Sequence, residues 1–177
     1  MTIPVGAAPL AFAATSHATR AVVLASAALS ADEWITTNVG PISAKYRMRG
    51  GSGWSACAKY TAGGQELFVK SSVAHDLSSM YLGEALGLKA LSEAGHHSGG
   101  SLTIPSVLRC ADGPESGSYI IMEYLDVCGR PDLVAFGRAM AELHLATPRH
   151  AEAKAGRFGF PVDNTIGATF QPNGWIP

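Results

Sequence analysis

The chain has 177 residues, 13 Lys+Arg against 14 Asp+Glu, a charged fraction of 15% and an apolar fraction of 47%. That length allows one ordinary domain with a real core; the near-neutral balance, with no basic run interleaved with aromatics, gives no support to nucleic-acid binding or to an acidic partner. No apolar stretch approaches the ~20 uninterrupted residues of a membrane-spanning helix, and Cys57, Cys110 and Cys128 are too few and too widely spaced for a disulfide framework or a four-cysteine zinc site, so they read as reduced thiols.

Residues 1–31 hold no acidic residue, one basic residue (Arg20) and a heavy load of Ala, Ser and Thr. An acid-poor organellar transit peptide has that composition. Two other readings compete: a secretory signal with its apolar core at 21–29 and Ala25-Ser26-Ala27 as cleavage pattern, and a plain Ala-rich leader. The transit reading is preferred because the apolar core starts late and no positive cluster opens the chain. Residues 1–29 are therefore expected to be a leader, with a plastid as destination and the cytoplasm as the alternative.

Ser30-Ala31-Asp32-Glu33 fits a capping box and predicts a short helix through Trp34 and Ile35, stopping near Gly40-Pro41. The period then changes to two. Ile42, Ala44, Tyr46 and Met48 alternate with polar residues, as do Trp54, Ala56, Ala58 and Tyr60, which predicts two half-buried strands. After Thr61-Ala62-Gly63-Gly64, residues 66–70 give a third strand. A helix is expected from Asp76 to Ala94, stopped by Gly95. Strands follow at 104–108 and 118–125, the second apolar enough to be covered on both faces. A helix capped by Asp132 runs to about Ala146, with Leu133, Phe136, Met140 and Leu143 on its apolar side. From Pro148 onward the chain reads as irregular. This order predicts an α+β fold: a protein-kinase-like small lobe over 30–125, with an antiparallel sheet of about five strands plus one helix. Residues 126–177 are expected to be the hinge and first part of a helical large lobe.

Several residues in that order carry chemistry. Gly50-Gly51-Ser52-Gly53 joins two antiparallel strands, and a loop without side chains lets backbone N–H groups approach phosphates. Alone it reads as a turn, and no Gly-Lys-[Ser/Thr] follows to make a Walker A loop. Lys70 ends the third strand, where an ammonium can reach the α and β phosphates of a nucleotide under such a loop; taken singly it reads as a solvated lysine. Glu84 lies on a stripe with Met80, Leu88 and Leu91, and a carboxylate there needs a cation. Lys70 is the nearest candidate in this topology, and kinases fix their phosphate-binding lysine with such a pair. Glu123, Tyr124 and Leu125 close the last strand, where backbone groups can pair with an adenine edge. His144 reads as a helix-end residue, and His96-His97 as a loop pair without nearby metal partners. Asp126, Asp132 and Asp163 lack Mg²⁺-ligand spacing, Asp132 reading as a cap and Asp163 as a turn residue.

Phe68-Val69-Lys70, residues 80–85 (Met-Tyr-Leu-Gly-Glu-Ala), residues 121–125 and the stretch from Phe158-Gly159-Phe160 through Asp163-Asn164-Thr165-Ile166-Gly167 to Gln171, Asn173 and Trp175 resemble the fructosamine-3-kinase (ketosamine-3-kinase) family, in its plant and algal protein-ribulosamine branch. The resemblance covers about 34–175. It implies ATP-dependent phosphorylation of the sugar 3-hydroxyl on ketoamine adducts, either glycated protein lysines or small ketoamines, with ATP and Mg²⁺ as cofactors. It also implies a nucleotide site made of Gly50, Gly51, Ser52, Gly53, Trp54, Ser55, Lys70, Glu84, Glu123, Tyr124 and Leu125. Two departures stand out: Phe170 replaces a usual proline, and Ser55 a usual asparagine. The family's His-Gly-Asp loop and Asp-Pro-Ala magnesium motif have no counterpart. No general base and no Mg²⁺ ligand is therefore expected in this chain, which reads as truncated, inactive alone and poorly soluble. Another amine kinase of the choline or aminoglycoside type, or a non-catalytic nucleotide-binding fragment, are the alternatives.

Overall fold

A reciprocal cap sets the first element of the computed structural model, which describes residues 29–49, 55–72, 80–95, 102–111, 117–167 and 169–177. Ser30 Oγ accepts from Glu33 N at 3.3 Å, and Ser30 N donates to the Glu33 carboxylate at 2.8 Å. Helix α1, Ala31–Asn38, follows. It ends where Gly40 takes a φ of 138°, and an added Cβ there would lie 2.9 Å from Gly63 Cα.

Strands β1 (Ile42–Met48), β2 (Ala56–Ala62) and β3 (Gln65–Ser72) come next, then helix α2 (Met80–Gly95) and strands β4 (Val107–Ala111) and β5 (Ser118–Glu123). They form one antiparallel five-stranded sheet in the order β1-β2-β3-β5-β4. The β2–β3 turn is tight because Gly63 and Gly64 both take positive φ, 53° and 76°. That is the geometry whose twist matches a two-residue hairpin, and it carries the ladder out to Ala62 opposite Gln65. The expectation had β2 stopping at Tyr60. It also had β4 starting at Ile104; the ladder starts at Val107, two residues after Pro105, which has no N–H to give. The expected cap Asp76 and the pair His96-His97 lie outside the described residues.

The sheet is covered on both faces. On one side Ile35 of α1 packs with Tyr60, Ala62, Leu67, Val69, Ala111, Tyr119 and Ile121. On the other, Met80, Tyr81 and Ala85 of α2 pack with Cys110, Ile120 and Met122, flanked by Phe68. Successive residues of β5 therefore serve opposite cores, which is why that strand is apolar throughout. At the outer edge, alternation fails: Tyr46 of β1 is 64% exposed. Leu91, on the expected inward stripe of α2, is also exposed.

A polar clasp ties α1 to the sheet. Asp32 receives both a bidentate contact from Lys45 Nζ, at 2.8 and 3.0 Å, and the Tyr60 hydroxyl at 2.7 Å. Burial raises the Asp32 carboxyl, but the hydrogen bonds from Lys45 and Tyr60 outweigh it and hold the group below its ordinary value. A depressed carboxylate lends stability above its unfolded value, about 3.9, and loses it as pH falls through the folded value. Melting temperature followed from pH 6 to pH 3 should therefore fall less steeply for Asp32→Asn than for the parent, from a lower neutral starting point. Parallel curves would refute the assignment.

Beyond the sheet, Asp132 Oδ1 accepts from Val134 N and Ala135 N, both at 3.0 Å, and starts helix α3, Leu133–Leu145. Its buried residues are Ala139 and Leu143. Leu133 and Phe136, expected on the covered side, are 73% and 53% exposed. The tail is also more ordered than expected: a short helix α4, Ala151–Lys154, and a hairpin of β6 (Asn164–Ile166) and β7 (Thr169–Gln171). Asp163 Oδ1 accepts from Asn173 N at 2.8 Å and closes the base of that hairpin. No helix among the described residues is long and apolar enough to cross a membrane.

Candidate nucleotide site

Period two decides where Lys70 points. Phe68 belongs to the α2-side core, so Lys70, two residues on, shares that face of β3, while Leu67 and Val69 serve the other. In register it lies between Cys57 of β2 and Ile120 of β5. Above it runs α2, with Glu84 one turn beyond Met80 and Tyr81.

The two charges meet. Lys70 Nζ donates to both carboxylate oxygens of Glu84, at 2.8 Å and 2.6 Å. The side chains keep 25% and 30% of their exposure. Such a pair contributes up to about 1 kcal/mol to stability, so its larger consequence is positional: the ammonium is held at one point of an open face. The Lys70 ammonium also lies 5.8 Å from the centre of the Tyr81 ring.

Tyr81 was not singled out from sequence, where an aromatic in an apolar helix reads as core. It is core, with no exposure, but its hydroxyl shares a 3.0 Å hydrogen bond with Ser55 Oγ. Ser55, itself 8% exposed, leads into β2. Gly50, Gly51, Ser52, Gly53 and Trp54 lie outside the described residues. A tyrosine three positions before the acid of an expected Lys–Glu pair was the signal that could have drawn notice.

Helix α2 is also fixed from its far side. Gly83 is buried, and a Cβ added there would lie 3.0 Å from Asn164 Oδ1 and 3.5 Å from Asp163 O. The tail hairpin therefore rests against the turn of α2 that carries Glu84.

The expected hinge is partly spent on its own sheet. Glu123 N donates to Ser106 O at 2.9 Å, and Tyr124 N to Glu66 O at 3.3 Å. Of the three hinge residues, Leu125 is the one whose N–H has no partner among the described residues. The Tyr124 ring is held by Lys59, whose ammonium sits 4.1 Å from the ring centre while pairing with Glu66 at 2.6 Å. No three His, Cys, Asp or Glu side chains converge on a cation position among the described residues. Asp132 and Asp163 are committed to backbone N–H groups, and His144 lies exposed near the end of α3.

A model of the fructosamine kinase family matches residues 28–177. The chloroplastic protein-ribulosamine 3-kinase of Arabidopsis thaliana is 36% identical over 161 residues, 86% of this chain and 45% of that protein. The protein of the same name from Oryza sativa subsp. indica is 42% identical over 120 residues, 67% of this chain and 31% of that protein. The chain thus spans less than half the length of these relatives. Among solved structures, a thermostable mutant of an aminoglycoside phosphotransferase, in ternary complex with AMP-PNP and hygromycin B, aligns with a TM-score of 0.49 at 16% identity, over 73% of this chain and 43% of that one. Because the family model spans the sheet, helix α2, residues 123–125 and the tail hairpin alike, the chain belongs to the fructosamine kinase family.

Proposed function

We propose that this chain holds ATP for a ketoamine 3-kinase. The reaction moves the γ-phosphoryl group of ATP to the 3-hydroxyl oxygen of a ribulosamine or fructosamine adduct on a protein lysine, leaving ADP. The phosphorylated adduct then breaks down and frees the amine. The single observation that carries the reading is the doubly bonded Lys70–Glu84 pair on a small antiparallel sheet, in a chain of this family. Lys70 is assigned to the α and β phosphates, Glu84 to holding Lys70, and residues 50–55 to covering the phosphates. Glu123–Leu125 take the adenine edge, with the Leu125 N–H as donor. Residues 30–125 form the nucleotide-binding lobe, and 126–177 the hinge and beginning of the second. The names of the plant relatives support a plastid setting and the ketoamine class.

Phosphoryl transfer also requires a base for the hydroxyl proton and charge neutralisation by Mg²⁺. No residue of this chain is assigned to either task. The chain's own contribution is to bind and orient ATP.

Calorimetric titration with ATP and with adenosine tests this directly. ATP should bind at least tenfold more tightly, because only its phosphates engage Lys70 and the glycine loop. Equal affinities would overturn the reading. Incubated with ATP and ribulosyl-lysine, this chain should release no ADP above the ATP-only background; clear turnover would show that a base is present after all.

A further inference from the structure

We propose that Lys59 is a positioning residue for the adenine end of the site: through Glu66 and the Tyr124 ring it fixes the direction in which the Leu125 N–H is offered. This deepens the nucleotide reading above and rests on it. Ala58 and Tyr60 pack in the α1-side core, so Lys59 between them projects from the other face of the sheet, the face of Phe68 and Lys70. In register Lys70 lies opposite Cys57, and Lys59 opposite Phe68. One face thus presents two lysines, each bonded to a glutamate at 2.6 Å, Lys70 to Glu84 and Lys59 to Glu66. The first is assigned to phosphates. The second has no task in that assignment.

Its surroundings supply one. Three contacts close a ring among Lys59, Glu66 and Tyr124. The Lys59 ammonium bonds to the Glu66 carboxylate and sits 4.1 Å from the centre of the Tyr124 ring. The Tyr124 N–H donates to Glu66 O at 3.3 Å, so the backbone and the side chain of Tyr124 are both tied to Glu66 of β3. The preceding residue is held as well. Glu123 N donates to Ser106 O at 2.9 Å, and Glu123 Oε2 accepts from Ser106 N at 3.3 Å. Leu125 comes directly after these tethers, with an N–H that has no partner among the described residues. A hydrogen bond weakens steeply when its donor is misaligned, so a clamp on residue 124 bears on the donor of residue 125. Without Lys59 the Tyr124 ring is free to turn, and the Leu125 N–H is no longer held to one line. The clamp acts on adenine recognition alone.

The adenine-dependent part of affinity is therefore the quantity to read. Calorimetric titration of the full chain with ATP, adenosine and 1-deazaadenosine, in which a C–H replaces the N1 acceptor, isolates it. Lys59→Met keeps the stem and removes the charge. The variant should bind ATP and adenosine each about five-fold more weakly, the measure of a cation lost from an aromatic face, and 1-deazaadenosine as before. Tyr124→Leu should do the same, and the double variant should be no weaker than either single one, since both break one clamp. A merely structural role would weaken all three ligands by one factor, and that result overturns the proposal. So does a full preference for adenosine over 1-deazaadenosine in both variants, or a parent that lacks this preference while favouring ATP over adenosine. A parent chain that binds ATP no better than adenosine sinks the nucleotide reading itself.

Discussion

Lys70→Met should raise the dissociation constant for ATP between tenfold and a hundredfold while leaving adenosine binding and thermal stability nearly untouched. The split follows from magnitudes. Hydrogen bonds from a charged donor contribute about 1.5–3 kcal/mol, and each 1.4 kcal/mol is a factor of about ten in affinity. The pair with Glu84 is a quarter to a third exposed, so its loss costs the fold no more than about 1 kcal/mol. Methionine fills the stem volume of the lysine without its charge. Glu84→Gln should show a smaller effect in the same direction, because the ammonium stays but loses its ionic tether. Titration calorimetry beside a melting curve reads both quantities. If Lys70→Met melted far lower and bound ATP as before, the pair would be a structural bridge and the nucleotide assignment would fail.

Gly63→Ala should produce the largest loss of stability, about 3 kcal/mol. Left-handed backbone costs a residue with a Cβ roughly 1–2 kcal/mol. The remainder comes from a collision, since the new Cβ would lie 2.2 Å from Val39 O. That carbonyl belongs to the end of α1, so neither partner can swing away as a side chain would. Gly64 provides the control. Its φ is also positive, 76°, but nothing lies within 4 Å of its absent Cβ, so Gly64→Ala should cost only about 1 kcal/mol. Urea denaturation of the two variants gives the comparison. Equal losses would mean that the helix end and the hairpin do not bear on each other as described.

Much of this arrangement was legible in the residues, for identifiable reasons. The capping box at Ser30 and the Asp132 cap are local chemistry, and both form where read. The Gly63-Gly64 turn fixed the β2–β3 register through its own geometry. Lys70 and Glu84 could be placed together because a strand's period of two and a helix's stripe each give one direction. What escaped was long-range. Nothing in the spacing said that β5 inserts between β3 and β4, because the intervening helix removes any constraint from a short connection. Tyr46 and Phe136 show the limit of periodicity. An apolar pattern marks a face that favours cover, whereas burial also requires a neighbour, and β1 is an outer strand while α3 meets little along its first turns. The β6–β7 hairpin was missed because three-residue strands are too short to display a period. Gly167, with φ of 60°, was its one available sign.

The contact at Gly83 reaches beyond local packing. The tail returns to this helix and seats Asn164 in the gap that the missing side chain leaves. Any side chain at position 83 would have to displace Asn164, so shape alone matches the tail to the turn of helix bearing Glu84.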